Sequence, residues 1–286
     1  MDGNVRSAIE FLRGAIQIII PVYQRNYDWK RENCELLFED LIDLETSNKQ
    51  THFFGSIVVK PGNYAQDIIV IDGQQRLTTL SLLMLAIKNW LDKNEEEAKK
   101  VRLTPEYVLN TFLQDQYLNT TDKLILQPNP RDYKSYKLLF GNEKFYDKSS
   151  NITLNYEYFY SCIDNMNISI DQLMSSIQKL QFMVVNLNSP DDDPQLIFES
   201  LNSTGVALTD ADKIRNFLLM NENLPEQNKY FQNYWQPLEE NTHFEVSKFF
   251  RYFLTIKNAQ FPKISNVYDE FKTTYNNLDF DKQNLF

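Results

Sequence analysis

Ile68-Ile-Val-Ile-Asp-Gly-Gln-Gln-Arg-Leu-Thr-Thr-Leu80 is the stretch that decides the fold. Ile68 to Ile71 is a β-branched run that reads as a buried strand, and Asp72-Gly73 breaks it. From Leu77 onward, apolar residues at Leu77, Leu80, Met84, Ile87 and Leu91 recur at helical spacing. A strand, a turn and a helix therefore put one carboxylate, two amides, one guanidinium and two hydroxyls at the opening of a helix. Unsatisfied backbone N–H groups and the positive end of the dipole meet there, which suits an anion such as phosphate.

The turn lacks the GxxxxGK[ST] pattern, so it is not a P-loop. Phosphate binding would fall to Arg76, whose planar fork suits bidentate contact, to the helix N-terminus, and to the hydroxyls of Thr78 and Thr79. Asp72 could hold Mg²⁺ directly or through water, because magnesium takes one or two carboxylates plus phosphate oxygens. Gln74 or Gln75 could orient an attacking water. A plain turn followed by ordinary early-helix residues is the bland alternative. It leaves two adjacent glutamines and an arginine unexplained.

Upstream, Ile18 to Ile20 reads as a strand stopped by Pro21, after an amphipathic helix expected over residues 4–16. Pro21-Val22-Tyr23-Gln24-Arg25 gives an extended entry from which Gln24 and Arg25 could face the same cleft. Tyr23, Tyr27 and Trp29 serve equally well as base-stacking rings or as core residues. Cys34, Leu37, Phe38, Leu41 and Ile42 form the stripe of a core-facing helix. Phe53–Lys60 and Asp67–Ile71, joined by Pro61-Gly62-Asn63, predict a hairpin.

Downstream, about 100–180 reads as a mainly helical insertion with a short strand near Leu124–Leu126. Phe182–Leu187 is another strand. Asp193-Pro194 then looks like an N-cap with proline at the first helical position. Leu196–Leu201 continues that helix to Asn202-Ser203-Thr204-Gly205, and Thr209 with Asp212 forms a capping pair for the next. Asn202, Thr204 and the Gly205 backbone could line a ligand site, although a helix–turn–helix connection accounts for them alone. The acidic run Asp191–Asp193 reads as a solvated lead-in to a helix rather than a metal cluster.

Composition narrows the classes. The chain has 286 residues, 42% hydrophobic content, 20 Phe, 16 Tyr and only 7 Gly, which favours a helix-rich protein over a β-sandwich. Two cysteines, Cys34 and Cys162, exclude a disulfide framework and a cysteine zinc site, and a cytoplasmic setting is the default. Two histidines, His52 and His243, exclude HExxH chemistry. A formal charge of −10 argues against a broad duplex-binding face but permits a local basic cleft. No segment approaches the roughly 20 apolar residues of a membrane span, so no membrane partner is expected.

Taken together, Ile20-Pro-Val-Tyr-Gln-Arg-Asn-Tyr-Asp-Trp29, Phe54-Gly-Ser-Ile-Val58, Ile71–Leu80 and Phe198-Glu-Ser-Leu-Asn-Ser-Thr-Gly205, followed by Leu208-Thr209, Asp212 and Arg215, resemble the N-terminal domain of the GmrSD-type restriction endonuclease family. The resemblance implies an α+β fold: a small mixed-sheet core of the ParB/sulfiredoxin kind, with a large helical insertion and a helical C-terminal extension. It implies a nucleotide-binding domain over 1–222 and a helical segment over 223–286 that begins a further region. It implies binding of a nucleoside triphosphate of undetermined base with Mg²⁺, and hydrolysis as the leading activity. The alternative is a non-hydrolysing ParB-like switch or a modified-DNA-binding module.

By motif position, Asp72, Gly73, Gln74, Gln75 and Arg76 would form the nucleotide site, with Gln24 and Arg25 joining it and Asn202 close by. The implied task is restriction of phage DNA, including modified DNA, through the full-length protein or a partner. Family members usually cut DNA with a later His-based domain. This sequence contains no such motif, so the expectation is a fragment or a member needing a nuclease subunit.

Overall fold

The structure, a computed structural model, describes every residue except 1, 48, 63–66, 119–122, 190–191, 202–207 and 278–286. It is an α+β protein built on a six-stranded mixed sheet, in the order β1-β6-β3-β4-β2-β5. The strands are β1 (Asp2–Ser7), β2 (Gln17–Ile19), β3 (His52–Pro61), β4 (Asp67–Asp72), β5 (Leu126–Gln127) and β6 (Leu180–Asn186). Three helices precede the insertion: α1 (Ala8–Arg13), α2 (Arg31–Thr46) and α3 (Gln74–Lys93).

The expected hairpin forms, with β3 and β4 antiparallel and a register shift between Val58 and Val59. On its two sides, β3 runs parallel to β6 and β4 runs parallel to β2. Val70 and Ile71 of β4 are fully buried, which is what a β-branched run predicts for a strand covered on both faces.

The helix expected over residues 4–16 is corrected. Asp2–Ser7 is instead an edge strand paired antiparallel to β6, and only Ala8–Arg13 is helical. The polar residues of β1 are mostly exposed, and backbone pairing to a distant strand supplies the order that its own sequence does not signal.

Helix α3 is more deeply buried than its stripe suggested. Leu82, Leu83, Leu85 and Ala86 are as inaccessible as Leu77, Leu80, Met84, Ile87 and Leu91. A helix apolar all round must be covered all round. Part of that cover comes from the insertion, whose Asn151–Asn165 helix packs on α3 and contributes Ile152, Tyr156 and Phe159 to the same core.

Two compact units divide the chain. The first contains Met1–Ile20 and Asn26–Asp192, and so holds the whole sheet. The second contains Pro21–Arg25 and Asp193–Phe286. Its helices include Pro194–Leu201, Asp210–Leu219, Leu224–Tyr230, Gln236–Asn241, Val246–Asn258 and Val267–Asn277. Asp193 caps the first of these, its Oδ1 accepting from the N–H groups of Gln195 and Leu196. The expected pair Thr209 and Asp212 forms a reciprocal capping box on the second. Aromatic packing closes this unit, with Trp235 stacked on Phe250 at 5.9 Å between ring centroids. Among the described residues, no helix is long and apolar enough to cross a membrane.

Candidate functional site

The motif turn joins β4 to α3 in the first unit. Gly73 occupies the N-cap of α3 at φ 100°, a left-handed conformation that side chains rarely adopt. A Cβ there would also lie 2.4 Å from Ile57 Cγ2. Both conformation and space therefore demand glycine, and the chain can turn directly from Asp72 into the helix. The first N–H groups of α3 have no intrahelical acceptor, as at any helix N-terminus.

Arg76 lies back over β3. Its Nη1 donates to the Ser56 carbonyl at 3.2 Å, and Gly55, at φ 115°, leaves the room: a Cβ would come within 2.4 Å of Arg76 Nε. The guanidinium is half-buried and spends one of its five donors on Ser56. Asp72 is likewise half-buried, at the last position of β4.

Gln74 and Gln75 diverge. Both are buried, but the Gln75 amide is engaged at both ends with the segment 26–29. Its Oε1 accepts from the N–H of Asp28 at 2.9 Å and of Trp29 at 3.1 Å, while its Nε2 donates to the Asn26 carbonyl at 3.2 Å. Thr79 is fully buried and its hydroxyl meets Tyr27 Oη at 2.6 Å; Thr78 is buried as well. Tyr27 is thus a core residue, and burial holds its phenol well above the ordinary range. Trp29 packs edge-on against Phe54.

Sequence reasoning missed three side chains of the insertion that hold this same segment. Asp132 Oδ2 accepts from the Tyr27 N–H at 2.6 Å. Asn151 Nδ2 donates to the Tyr27 carbonyl at 3.3 Å. Asn155 Nδ2 donates to Tyr27 Oη at 3.0 Å and to the Trp29 carbonyl at 2.9 Å. Burial pushes the Asp132 carboxyl up to about 6, against the opposing pull of the Tyr27 N–H, the Asn129 amide and Arg131. The only available signal was Asn129-Pro130-x-Asp132, which reads as a helix cap, and Asn129 does cap that helix.

Tyr23, Gln24 and Arg25 belong to the second unit. Tyr23 is fully buried, and its Oη meets no hydrogen-bond partner among the described residues. Its carbonyl accepts from Arg215 Nε at 2.9 Å, and Arg215 also reaches Glu239 and Asp212. Gln24 is buried in a turn with its N–H on the Pro21 carbonyl, and Arg25 is half-buried. Asn202, Thr204 and Gly205 lie outside the described residues. His52 sits against Asp40 at 3.4 Å, as an ordinary paired histidine would.

Among the described residues, no group of three or more His, Cys, Asp or Glu side chains is clustered to hold a metal ion. Of the motif turn's side chains, Asp72 carries the one carboxylate, an oxygen donor of the kind magnesium takes.

Residues 9–219 match the family described as GmrSD restriction endonuclease, N-terminal domain. The chain is also similar to an uncharacterized protein of Methanocaldococcus jannaschii, with 23% identity over 165 residues, which is 51% of this chain. The chain matches 27% of that relative's length.

Proposed function

The chain belongs to the GmrSD restriction endonuclease N-terminal domain family, and on that premise we propose that it binds a nucleoside triphosphate at the start of α3 and hydrolyses it with Mg²⁺. The observation that carries this reading is the Gly73-capped α3 N-terminus with Arg76 laid across Gly55 beside it. Phosphate oxygens would accept from the first N–H groups of α3 and from the Arg76 guanidinium. Asp72 would hold Mg²⁺, which draws charge from the transferring phosphoryl group when bound. Gln74 is the glutamine proposed to orient water, because Gln75 is committed to the segment 26–29. Gln24, Arg25 and Asn202 stay in the proposal on motif position alone.

The role we propose is regulation of a restriction system acting on phage DNA, with DNA cutting assigned to a separate domain or subunit. A second reading is a nucleotide switch or modified-DNA-binding module without turnover, in which Gln75 serves the segment 26–29 and no glutamine activates water.

Arg76→Ala tests the site. The purified variant should retain its fold by circular dichroism and lose roughly ten- to a hundredfold in NTP affinity with Mg²⁺, as expected for lost charge-assisted bonds. Wild-type affinity in that variant would sink the assignment. Phosphate release from an NTP panel, with and without modified phage DNA, separates hydrolysis from switching.

A further inference from the structure

We infer that Asp132, Asn151 and Asn155 of the helical insertion are positioning residues, which with Gln75 fix the main chain of residues 26–29 against the start of α3. The inference rests on the nucleotide reading for its purpose, and on hydrogen bonds for its substance.

The segment 26–29 is irregular, and irregular backbone on a protein surface ordinarily satisfies its polar groups with water. Here side chains take that role. The Asn26 carbonyl and the Asp28 and Trp29 N–H groups go to Gln75. The Tyr27 N–H goes to Asp132, and the Tyr27 and Trp29 carbonyls go to Asn151 and Asn155. Lys30 N–H is taken by Asn33 as α2 begins. Three helices separated in sequence thus converge on four consecutive residues, and Tyr27 is pinned from below by Thr79 and Asn155.

Such saturation is costly for a mere connection. Asp132 is a half-buried carboxylate whose ionised form is penalised by desolvation, with Arg131 as a charged group acting on it. A chain that needed only to pass from one strand to α2 could use solvent instead. What saturation achieves is a rigid main chain whose Asn26 and Asp28 side chains are exposed, held by the residue next to Arg76. Sites with defined geometry are supported in this way, by a surrounding layer that locks the groups in front.

The insertion is therefore more than a cover for α3. Its Asn129-capped helix and its Asn151–Asn165 helix carry the polar side chains that shape the motif segment.

The test uses the full chain and two readouts. Amide hydrogen exchange at Tyr27, Asp28 and Trp29 is compared among wild type, Asp132→Ala and Asp132→Asn, with α3 amides as an internal control. Mg²⁺–ATP and Mg²⁺–GTP affinities are measured on the same proteins. Asp132→Ala should speed exchange at those three amides roughly tenfold or more with α3 unchanged, and should weaken nucleotide binding in step. Asp132→Asn, which keeps an acceptor toward the Tyr27 N–H, should restore both to within about threefold of wild type.

Unchanged exchange at residues 27–29, or equal acceleration throughout α3, overturns the positioning role. Accelerated exchange with full nucleotide affinity overturns its link to the site. If wild type binds neither nucleotide, the functional reading fails by itself, and the exchange data still decide whether these side chains hold the segment.

Discussion

Two arginines of the same sequence motifs make opposite use of their donors. Arg215, in the second unit, is buried and bonded through all three nitrogens: Nε on the Tyr23 carbonyl, Nη1 on Glu239, Nη2 on Asp212, with the Trp235 ring 5.7 Å from its carbon. Arg76, in the first unit, is half-buried and gives one bond to a main-chain carbonyl. Glu239 is itself held by Trp235 Nε1, so the Arg215 cluster satisfies its own charges internally. A guanidinium bonded through every nitrogen organises the protein around it. One with donors to spare beside a helix N-terminus is suited to an incoming anion. Sequence alone marked both, and only the count of partners separates them.

The strongest way to break that contrast is to truncate Arg215. Arg215→Ala leaves Glu239 buried without its cation and frees the Tyr23 carbonyl, so it should cost about 3–5 kcal/mol of stability. Urea denaturation monitored by Trp fluorescence measures it, and a loss below about 1 kcal/mol would place Arg215 with Arg76 instead.

Asp132 sharpens the contrast from the side of charge, because it is a half-buried carboxylate held by hydrogen bonds from the Tyr27 N–H and the Asn129 amide, with Arg131 nearby. Desolvation raises it from 3.8 to about 6, so the folded chain holds this proton more tightly than the unfolded chain. Its stabilising contribution is full below about pH 4 and is lost as pH rises through about 6. Asp132→Asn removes the penalty, and should therefore be more stable than wild type at pH 7.5, by at most about 3 kcal/mol. The difference should shrink as pH falls toward 4. A gap independent of pH would mean that Asp132 does not titrate as its burial requires.

Arg76→Ala should show the smallest effect on stability, about 1 kcal/mol for one half-buried hydrogen bond, while carrying the affinity loss given above. Stability and binding thus move in opposite order for the two arginines. If Arg76→Ala unfolds the first unit, the guanidinium is a brace for Gly55 and Ser56 and the comparison collapses.

Much of this was legible because it is local. A β-branched run, an Asp-Gly break and a helical stripe specify β4, the turn and α3 from neighbouring residues alone. Thr209 and Asp212 announce their capping box at a spacing of three. Edge strand β1 was not legible, since its order comes from β6, far along the chain. Nor was the work of Asn155, which looks like any polar residue on an amphipathic helix until Tyr27 and Trp29 are brought beneath it. The divergence of Gln74 and Gln75 was hidden for the same reason. Adjacent residues on a helix point about 100° apart, and only the fold says what each direction meets.

The five residues Pro21–Arg25 carry a consequence for synthesis order. They belong to the second unit, yet the ribosome makes them long before the rest of it. The bond from Arg215 to the Tyr23 carbonyl spans 192 positions, a separation that must be closed against chain entropy. Tyr23 therefore waits, unburied by its own unit, through translation of the entire sheet and insertion. A polypeptide started at Asp193 would lack the carbonyl that Arg215 grips, so a split of the gene that keeps the second unit's bonds together must carry those five codons with it.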